Sequence, residues 1–259
     1  MIINGTDIKY HQAPLPFVGQ KKIYINQFCD LIQRFEGDSI FDAFAGSGLL
    51  SRAAKDTRPD LDIYTNDIGD YQWRLSKVKE TNEALDLMRA NGAYRNNKKY
   101  EKYSFETEQN IKKIVEKAAD KETVYKNFYA RHGNSPRKIC RTVNYNELLC
   151  SHWYDGLKLT QIKLNGFCSG LIKCDLMILD PPYTRKPASI NQSDYIGDTV
   201  GARGFCANVI KSKKKYILFD IANSDLVSLA IDNGARMVSN QATTNRMYAK
   251  DCMITNLYF

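Results

Sequence analysis

The chain has 259 residues and 43% hydrophobic content, which is enough for the core of one large domain or of a domain with an insertion. Its net charge of +8 favours a polyanionic partner. We expect a cytoplasmic protein without a membrane anchor, because no stretch approaches the ~20 apolar residues of a membrane span and the N-terminus lacks the pattern of a signal peptide. Seven cysteines without a Cys-x-x-Cys pair and three scattered histidines predict neither a disulfide framework nor a metal site.

Residues 38–67 have the pattern of a strand, a turn, a helix and a second strand. The sequence DSIFDAF at 38–44 predicts a buried strand, and AGSG at 45–48 predicts a tight turn. A helix follows from Leu49, and LDIYTND at 61–67 alternates apolar and polar residues before it ends on an acid. This succession predicts a βαβ unit with parallel strands.

The composition changes after about Asn91. Residues 95–150 contain thirteen Lys and Arg and seven acidic residues, so this stretch carries +6 of the net charge. Apolar residues at 111–119 recur with helical spacing. We predict a mainly helical subdomain at 92–154, inserted into a main domain formed by 1–91 and 155–259. A basic insert of this kind either binds nucleic acid or presents a solvated, lysine-rich helix.

Strand patterns return in the last third of the chain. Residues 174–180 and 215–224 each predict an internal strand, and 235–245 with 251–259 predict an antiparallel hairpin at the sheet edge. The predicted fold class is therefore α/β: a doubly wound, Rossmann-like sheet with a C-terminal antiparallel hairpin and an inserted helical subdomain.

The glycine turn and an acid ~20 residues later predict a ligand site. Ligands of doubly wound sheets bind beyond the carboxyl ends of the strands, and Gly46 and Gly48 allow a close approach of the backbone. Asp67 lies where a carboxylate can accept hydrogen bonds from both hydroxyls of a ribose. An acid at a strand end can also cap a helix. Together the two features favour an adenosine-containing ligand.

A second motif follows the predicted strand at 174–180. Asp180 ends this strand, and Pro181, Pro182 and Tyr183 come next. The prolines have a fixed φ and no N–H, so the segment offers carboxylate and carbonyl acceptors beside a flat ring. This combination suits an exocyclic amino group on a planar base. An amino group held by two acceptors directs its nitrogen lone pair out of the base plane, where it can attack an electrophilic methyl group without a strong base or a metal.

Several segments carry a resemblance to a known family. Asp-Pro-Pro-Tyr at 180–183 and Phe-x-Gly-x-Gly at 44–48 are similar to the signatures of amino-methyltransferases that use S-adenosylmethionine. PFVGQKK at 16–22, TND at 65–67 and the ending KDCMITNLYF at 250–259 resemble segments of the Dam-type, α-group DNA adenine-N6 methyltransferases. The order of the segments agrees with that group, in which the insert recognises the target sequence.

The resemblance implies transfer of a methyl group from S-adenosylmethionine, which becomes S-adenosylhomocysteine, to N6 of a flipped adenine in a specific double-stranded DNA sequence, without a metal. It implies that the cofactor is bound by Phe17, Lys21, Asp42, Phe44, Ala45, Gly46, Ser47, Gly48, Asp67 and Asp180. Asp180 and Pro181 would hold the adenine amino group, with Pro182 in the same catalytic segment, and Tyr183 would stack on the base. Phe17 and Lys21 also fit a core aromatic residue and an exposed helix start.

DNA contacts are expected in two polar segments, one in the insert and one after the Asp-Pro-Pro-Tyr motif. The candidates are Arg131, Asn134, Arg137, Lys138, Arg141, Lys186 and Ser193. Arginine can read guanine and asparagine can read adenine, but each of these residues can equally contact phosphate. Asn165 and Phe167 correspond ambiguously to residues with which the family contacts the cofactor adenine, so no such contact is assigned.

Other acceptors stay open. The alternatives are a methyltransferase that acts on RNA or on cytosine N4, and an inactive DNA-binding relative. Asp180 favours adenine over cytosine, because the cytosine-N4 enzymes of the resembling families more often carry Ser-Pro-Pro-Tyr. We expect a stand-alone modification enzyme without an obligate protein partner, associated with DNA in the cytoplasm of a prokaryotic or phage-infected cell.

Overall fold

A computed structural model describes residues 1–3, 5–17, 19–93, 104–128, 143–182, 199–241 and 251–258. The chain divides into two units, and each combines two separate stretches of sequence. The sheet unit consists of Gln20–Ile68 and Tyr154–Phe259, and the helical unit consists of Met1–Gly19 and Gly69–Trp153.

The described strands are, in chain order, β1 (Ile2–Ile3), β2 (Thr6–Asp7), β3 (Ser39–Asp42), β4 (Asp62–Asn66), β5 (Lys158–Thr160), β6 (Leu176–Leu179), β7 (Lys215–Ile221), β8 (Arg236–Gln241) and β9 (Asp251–Thr255). The described α-helices are α1 (Ile25–Arg34), α2 (Leu49–Thr57), α3 (Tyr71–Ser76), α4 (Val78–Ala90), α5 (Phe105–Lys117), α6 (Lys121–Phe128), α7 (Glu147–Ser151), α8 (Thr199–Lys211) and α9 (Asp225–Asp232). None of these helices combines the length and the apolar character that a membrane crossing requires.

The sheet unit contains a seven-stranded sheet in the order β5-β4-β3-β6-β7-β9-β8. The first five strands of that order pair in parallel, whereas β9 pairs antiparallel with both β7 and β8. Parallel neighbours need a crossover connection, and α2 provides it between β3 and β4. The predicted α/β fold class, a doubly wound, Rossmann-like sheet with a C-terminal antiparallel hairpin, is confirmed.

Both faces of the sheet are buried, because successive side chains of a strand point to opposite sides. Ile40, Ile178 and Phe219 pack with residues of α1 and α2 on one face. Phe41 and Met177 pack with residues of α8 and α9 on the other. This explains why β6 is apolar throughout and why β3 and β7 contain consecutive apolar residues instead of an alternation with polar ones.

The helical unit is held by buried polar contacts from α3. The hydroxyl of Tyr71 accepts a hydrogen bond from the Leu15 amide and donates one to the Leu15 carbonyl, both at 2.9 Å. Arg74 is 2% exposed and donates to the Pro16 carbonyl at 3.0 Å and to the equally buried Asp120 at 3.2 Å. A buried cation requires such partners, so α3 joins the N-terminal segment to the start of α6.

The described part of the predicted insert, 92–154, lies in the helical unit together with α3 and α4, except for Tyr154, which belongs to the sheet unit. It contains α5, α6 and α7, and no strand is found among its described residues. Its assignment as a target-recognition subdomain, and its boundaries against 1–91 and 155–259, stay predictions.

The two-faced core generates a prediction for stability. Ile178 is fully buried between β3 and β7, so Ile178→Ala should lower the free energy of unfolding by about 3 kcal/mol through lost burial and a new cavity. Leu171→Ala is the matched control, because Leu171 is 80% exposed and its truncation should change stability by less than about 0.5 kcal/mol. Urea denaturation of both variants measures the difference, and equal effects would contradict the described core.

Candidate functional site

The two sequence motifs meet at the carboxyl edge of the sheet. In the parallel pairing of β3 and β6, Asp42 lies opposite Ile178, and the Ala43 amide donates to the Ile178 carbonyl at 3.0 Å. The glycine turn follows β3, and Asp180 follows β6. These two features therefore lie at the ends of adjacent strands. The chain continues from β3 to β4 on one side, while β6 pairs with β7 on the other. Such a switch point is where doubly wound sheets bind ligands.

The glycine turn has a backbone that other residues would strain. Gly46 and Gly48 have φ values of +52° and +68°, in the left-handed region. The Gly48 amide donates to the Ala45 carbonyl at 2.8 Å, and α2 starts at the next residue. A Cβ atom on Gly48 would lie 2.7 Å from the ring of Tyr154. Tyr154 thus packs against the turn, a contact for which the sequence contains no signal that we recognised.

Asp42 is a buried acid with an unused acceptor atom. Its side chain is 1% exposed, and the Ser51 hydroxyl donates to Oδ2 at 2.6 Å. Oδ1 has no hydrogen-bond partner among the described residues. The pKa of Asp42 is raised to about 7, chiefly because burial penalises the charged form, with a further contribution from Asp180. A buried carboxylate oxygen of this kind fits a ligand that brings a charged hydrogen-bond donor, such as an ammonium group.

Asp180 forms an ion pair with Lys21. The Nζ atom of Lys21 lies 2.6 Å from Oδ2, and the two side chains are 6% and 18% exposed. Burial raises the pKa of Asp180 to about 6, the ion pair with Lys21 opposes this rise, and the charges of Asp251 and Asp220 add to it. Both partners are predicted site residues, but no local pattern in the sequence pairs them.

The side chain of Asn66, directly before Asp67, bonds to the segments that follow β3 and β5. Its amide nitrogen donates to the carbonyls of Ala43 and Ile162, both at 3.0 Å. Its amide oxygen accepts from the Thr160 hydroxyl at 3.0 Å and from the Ile162 amide at 2.7 Å. All four hydrogen bonds of the side chain are thereby made. The next residue, Asp67, is held at the same edge, where its own amide donates to the Thr160 carbonyl at 3.1 Å.

A further acid, Asp220, lies one residue before the end of β7 and is not among the predicted site residues. Asp220 is 1% exposed, accepts from the Ser224 hydroxyl at 2.7 Å and lies 3.1 Å from a guanidinium nitrogen of Arg203 on α8. Arg203 also contacts Asp225 at the start of α9. An acid at the end of a predicted strand, as in the two motifs, is the signal that could have identified Asp220.

Carboxylates dominate this edge of the sheet. Five lie at the ends of its strands, namely Asp42, Asp67, Asp180, Asp220 and Asp251. Lys21 and Arg203 each neutralise one of them. In the described part of the chain, no group of three or more potential ligands converges to hold a metal ion. The unsatisfied Oδ1 of Asp42 suits a ligand that carries positive charge. S-Adenosylmethionine, with a sulfonium and an ammonium group, fits these residues.

The other predicted cofactor residues are distributed over both units. Phe44 is half-buried, with its ring edge-on to Phe205 at 6.1 Å. Ala45 and Ser47 complete the turn, and Ser47 is 3% exposed. Phe17 belongs to the helical unit, where its ring meets Tyr71 edge-on at 5.5 Å. The cofactor roles of these residues stay predictions.

The predicted substrate residues are described only in part. Pro181 is buried and Pro182 is half-buried, directly after Asp180. The remaining candidates lie outside the described residues: Tyr183, Arg131, Asn134, Arg137, Lys138, Arg141, Lys186 and Ser193. The candidate site therefore consists of the glycine turn, the strand-end acids and Lys21.

Comparison with known proteins gives one partial match in sequence. No protein-family model matches the chain. Over 84 residues it is 37% identical to a protein of Haemophilus influenzae named as a methyltransferase. The matched stretch covers 30% of this chain and 28% of that protein, so the similarity spans less than a third of either.

Similar solved structures cover most of the chain at low identity. A precorrin-6y C5,15-methyltransferase from Geobacter metallireducens is 10% identical, with a TM-score of 0.42 and coverage of 96% of this chain and 97% of that one. A methylase from Haemophilus influenzae is 10% identical, with a TM-score of 0.39 and coverage of 94% and 92%. A ribosomal RNA methyltransferase from Streptomyces viridochromogenes is 11% identical, with a TM-score of 0.37 and coverage of 93% and 88%. Likeness at this level carries no information about the substrate of this chain.

The buried state of Asp42 generates a prediction about pH. Its pKa is raised from 3.8 in the unfolded chain to about 7 in the folded protein, so its contribution to stability is present at low pH and is lost as the pH rises towards 7. Asp42→Asn removes this dependence and keeps an acceptor for Ser51. The difference in free energy of unfolding, variant minus wild type, should therefore increase by roughly 1 kcal/mol per pH unit between about pH 4 and 7. Above about pH 7 the difference should stay constant. Denaturation of both proteins without cofactor at several pH values tests this, and a constant difference would show that Asp42 is ionised throughout.

Proposed function

We propose that this protein uses S-adenosylmethionine to methylate an amino nitrogen, and that the acceptor is N6 of a flipped adenine in double-stranded DNA. The observation that carries the proposal is the adjacency of the glycine turn and Asp180 at the switch point, which rests on the Ala43–Ile178 hydrogen bond. It brings a cofactor-type turn next to an acceptor-holding motif. The partial similarity to a protein named as a methyltransferase supports methyl transfer in general.

The residues of the sheet unit supply binding and orientation. Asp42 offers a buried oxygen to the ammonium group of the cofactor, and Asp67 offers its carboxylate to the ribose hydroxyls. Gly46 and Gly48 let the backbone approach the cofactor closely. When bound, S-adenosylmethionine supplies a methyl group on a positively charged sulfur.

The Asp-Pro-Pro segment prepares the acceptor nitrogen. The Asp180 carboxylate and the Pro181 carbonyl each accept one N–H of the amino group, so the nitrogen lone pair points out of the base plane. With S-adenosylmethionine held by Asp42 and Asp67, the cofactor would supply the methyl group to this lone pair and would keep the electron pair of the carbon–sulfur bond on its sulfur. The nitrogen then carries an extra proton, which leaves to solvent. Asp180 acts here as a fixed negative charge that stabilises the developing positive charge.

Two features support adenine in DNA as the acceptor. An aspartate before the two prolines provides an acceptor for an amino hydrogen, and the resemblance to the Dam-type enzymes adds the adenine. The surplus of +6 in residues 95–150 suits a nucleic acid backbone. Extrusion of the base costs a few kcal/mol, which phosphate contacts and stacking on Tyr183 would offset.

The direct test is methyl transfer from labelled S-adenosylmethionine to separate substrates. We expect incorporation into double-stranded DNA that lacks N6-methyladenine, with the label recovered as N6-methyladenine. Label recovered in RNA or in N4-methylcytosine would show that the acceptor is not adenine in DNA, while methyl transfer itself would stand. Cofactor binding without transfer to any of them would favour an inactive DNA-binding relative.

Asp180→Ala should abolish methyl transfer while cofactor binding is largely kept, because the variant loses the acceptor for the amino group. We expect turnover below about a tenth of the wild-type value, which corresponds to more than about 1.4 kcal/mol in the barrier. Asp232→Ala, at an exposed carboxylate on α9, is the matched control and should not change turnover. A higher residual turnover of Asp180→Ala would refute the assigned role.

Loss of positive charge from 131–141 should weaken DNA binding. We expect Arg131, Arg137 and Arg141, replaced together by Gln, to lower DNA affinity at low salt and to reduce the slope of log affinity against log salt by up to about 3. The control replaces three exposed lysines of the sheet unit by Gln, namely Lys22, Lys211 and Lys213. Equal binding by both triple variants would show that the insert is not the element that contacts DNA.

A further inference from the structure

The ammonium group of Lys21 is held next to the carboxylate of Asp180 by the backbone and side-chain contacts around Lys21. Lys21 precedes a 3₁₀ turn at Lys22–Tyr24, and the Tyr24 amide donates to the Lys21 carbonyl at 2.9 Å. Tyr24 is fully buried, with its ring 5.5 Å from that of Phe219 on β7. The backbone of Lys21 is thereby anchored on the sheet, and the buried side chain extends to within 2.6 Å of Asp180 Oδ2.

We propose that Lys21 is a positioning residue for the methyl acceptor: its ammonium group occupies Oδ2 of Asp180, so that Oδ1 accepts the N–H of the acceptor amino group. Oδ1 makes no hydrogen bond to another described residue, and the Asp180 side chain is 18% exposed. The inference rests on the proposed function. It differs from the role that the resemblance implies, in which Lys21 lines the methionine end of the cofactor.

The surroundings of Asp180 explain why a cation is needed there. Several titratable groups face this carboxylate from the elements around it, namely Asp42 of β3, Asp220 of β7, Asp251 of β9 and Cys206 of α8. Burial and like charges both favour protonation of Asp180, and Lys21 opposes them. Arg203 of α8 is already paired with Asp220 and Asp225.

The protonation state of Asp180 decides which kind of hydrogen bond its carboxyl group makes with the acceptor amino group. A carboxylate only accepts hydrogen bonds, so it can orient an amino group through its N–H. A protonated carboxyl group also donates, and a hydrogen bond to the amino nitrogen would engage the lone pair that must attack the methyl group. Lys21 therefore acts on the reaction in two ways, because it keeps Asp180 ionised and leaves a single oxygen for the acceptor.

The first test needs no substrate. Lys21→Met removes the charge at similar length, and Lys22→Met is the matched control, because Lys22 is exposed in the same turn. Carbon-13 NMR of the aspartate carboxyl groups, with the Asp180 signal assigned from Asp180→Asn, follows the titration directly. We expect Lys21→Met to raise the pKa of Asp180 from about 6 by about one unit or more, and Lys22→Met to leave it unchanged.

The second test separates acceptor positioning from cofactor binding. In Lys21→Met, kcat for double-stranded DNA should fall about fivefold or more at pH 6 and recover largely at pH 9, because the acid limb of the profile moves with the pKa of Asp180. The Kd for S-adenosylmethionine should stay within about twofold of the wild type. Lys21→Arg keeps the charge and should restore the wild-type pH profile.

The outcomes distinguish the inference from the function on which it rests. A rise of tenfold or more in the Kd for S-adenosylmethionine, with an unshifted carboxyl titration and an unchanged kcat at saturation, assigns Lys21 to the cofactor and overturns the inference alone. Normal methylation by Lys21→Met at pH 6 overturns it as well. If the wild type methylates neither DNA nor RNA while the Asp180 titration in Lys21→Met shifts as expected, the proposed function is wrong. The role of Lys21 in positioning the acceptor is then wrong as well.

Discussion

The candidate site depends on the parallel pairing of β3 with β6. This pairing brings together residues that are more than 130 positions apart in the chain, and the Ala43–Ile178 hydrogen bond sets its register at the carboxyl edge. A slip by one residue would turn every side chain of the strand to the opposite face. The fully buried residues on both faces, such as Ile178 and Met177, therefore fix the site as well as the core.

Electrostatics at the same edge give the site its chemical character. Burial makes charge costly, so each strand-end acid must be paired, protonated or satisfied by a ligand. Lys21 pairs with Asp180, Arg203 pairs with Asp220, and Asp42 retains an unsatisfied oxygen. Folding stability and ligand binding are thus coupled at Asp42, because the same buried carboxylate that lowers stability when it is ionised can bind a cationic ligand.

The helical unit uses a comparable device for a different purpose. Arg74 and Tyr71 of α3 hold the N-terminal segment at Leu15 and Pro16, and Arg74 also binds Asp120 before α6. These contacts connect the segment that carries Phe17 with the start of α6, inside the predicted insert. Because Arg74 and Asp120 are both 2% exposed, loss of Arg74 would leave the carboxylate of Asp120 buried without its cation, whereas Arg74 itself also lies 3.6 Å from Glu122.

The sequence by itself determined the elements whose patterns are local. The apolar runs of β3, β6 and β7, the glycine turn before α2 and the C-terminal hairpin follow from side-chain spacing and from the freedom of glycine at positive φ. Only the tertiary structure decided which distant groups meet. The Lys21–Asp180 ion pair, Tyr154 against Gly48 and the exposed edge strand β5 depend on strand order and on contacts across the sheet, which no local pattern encodes.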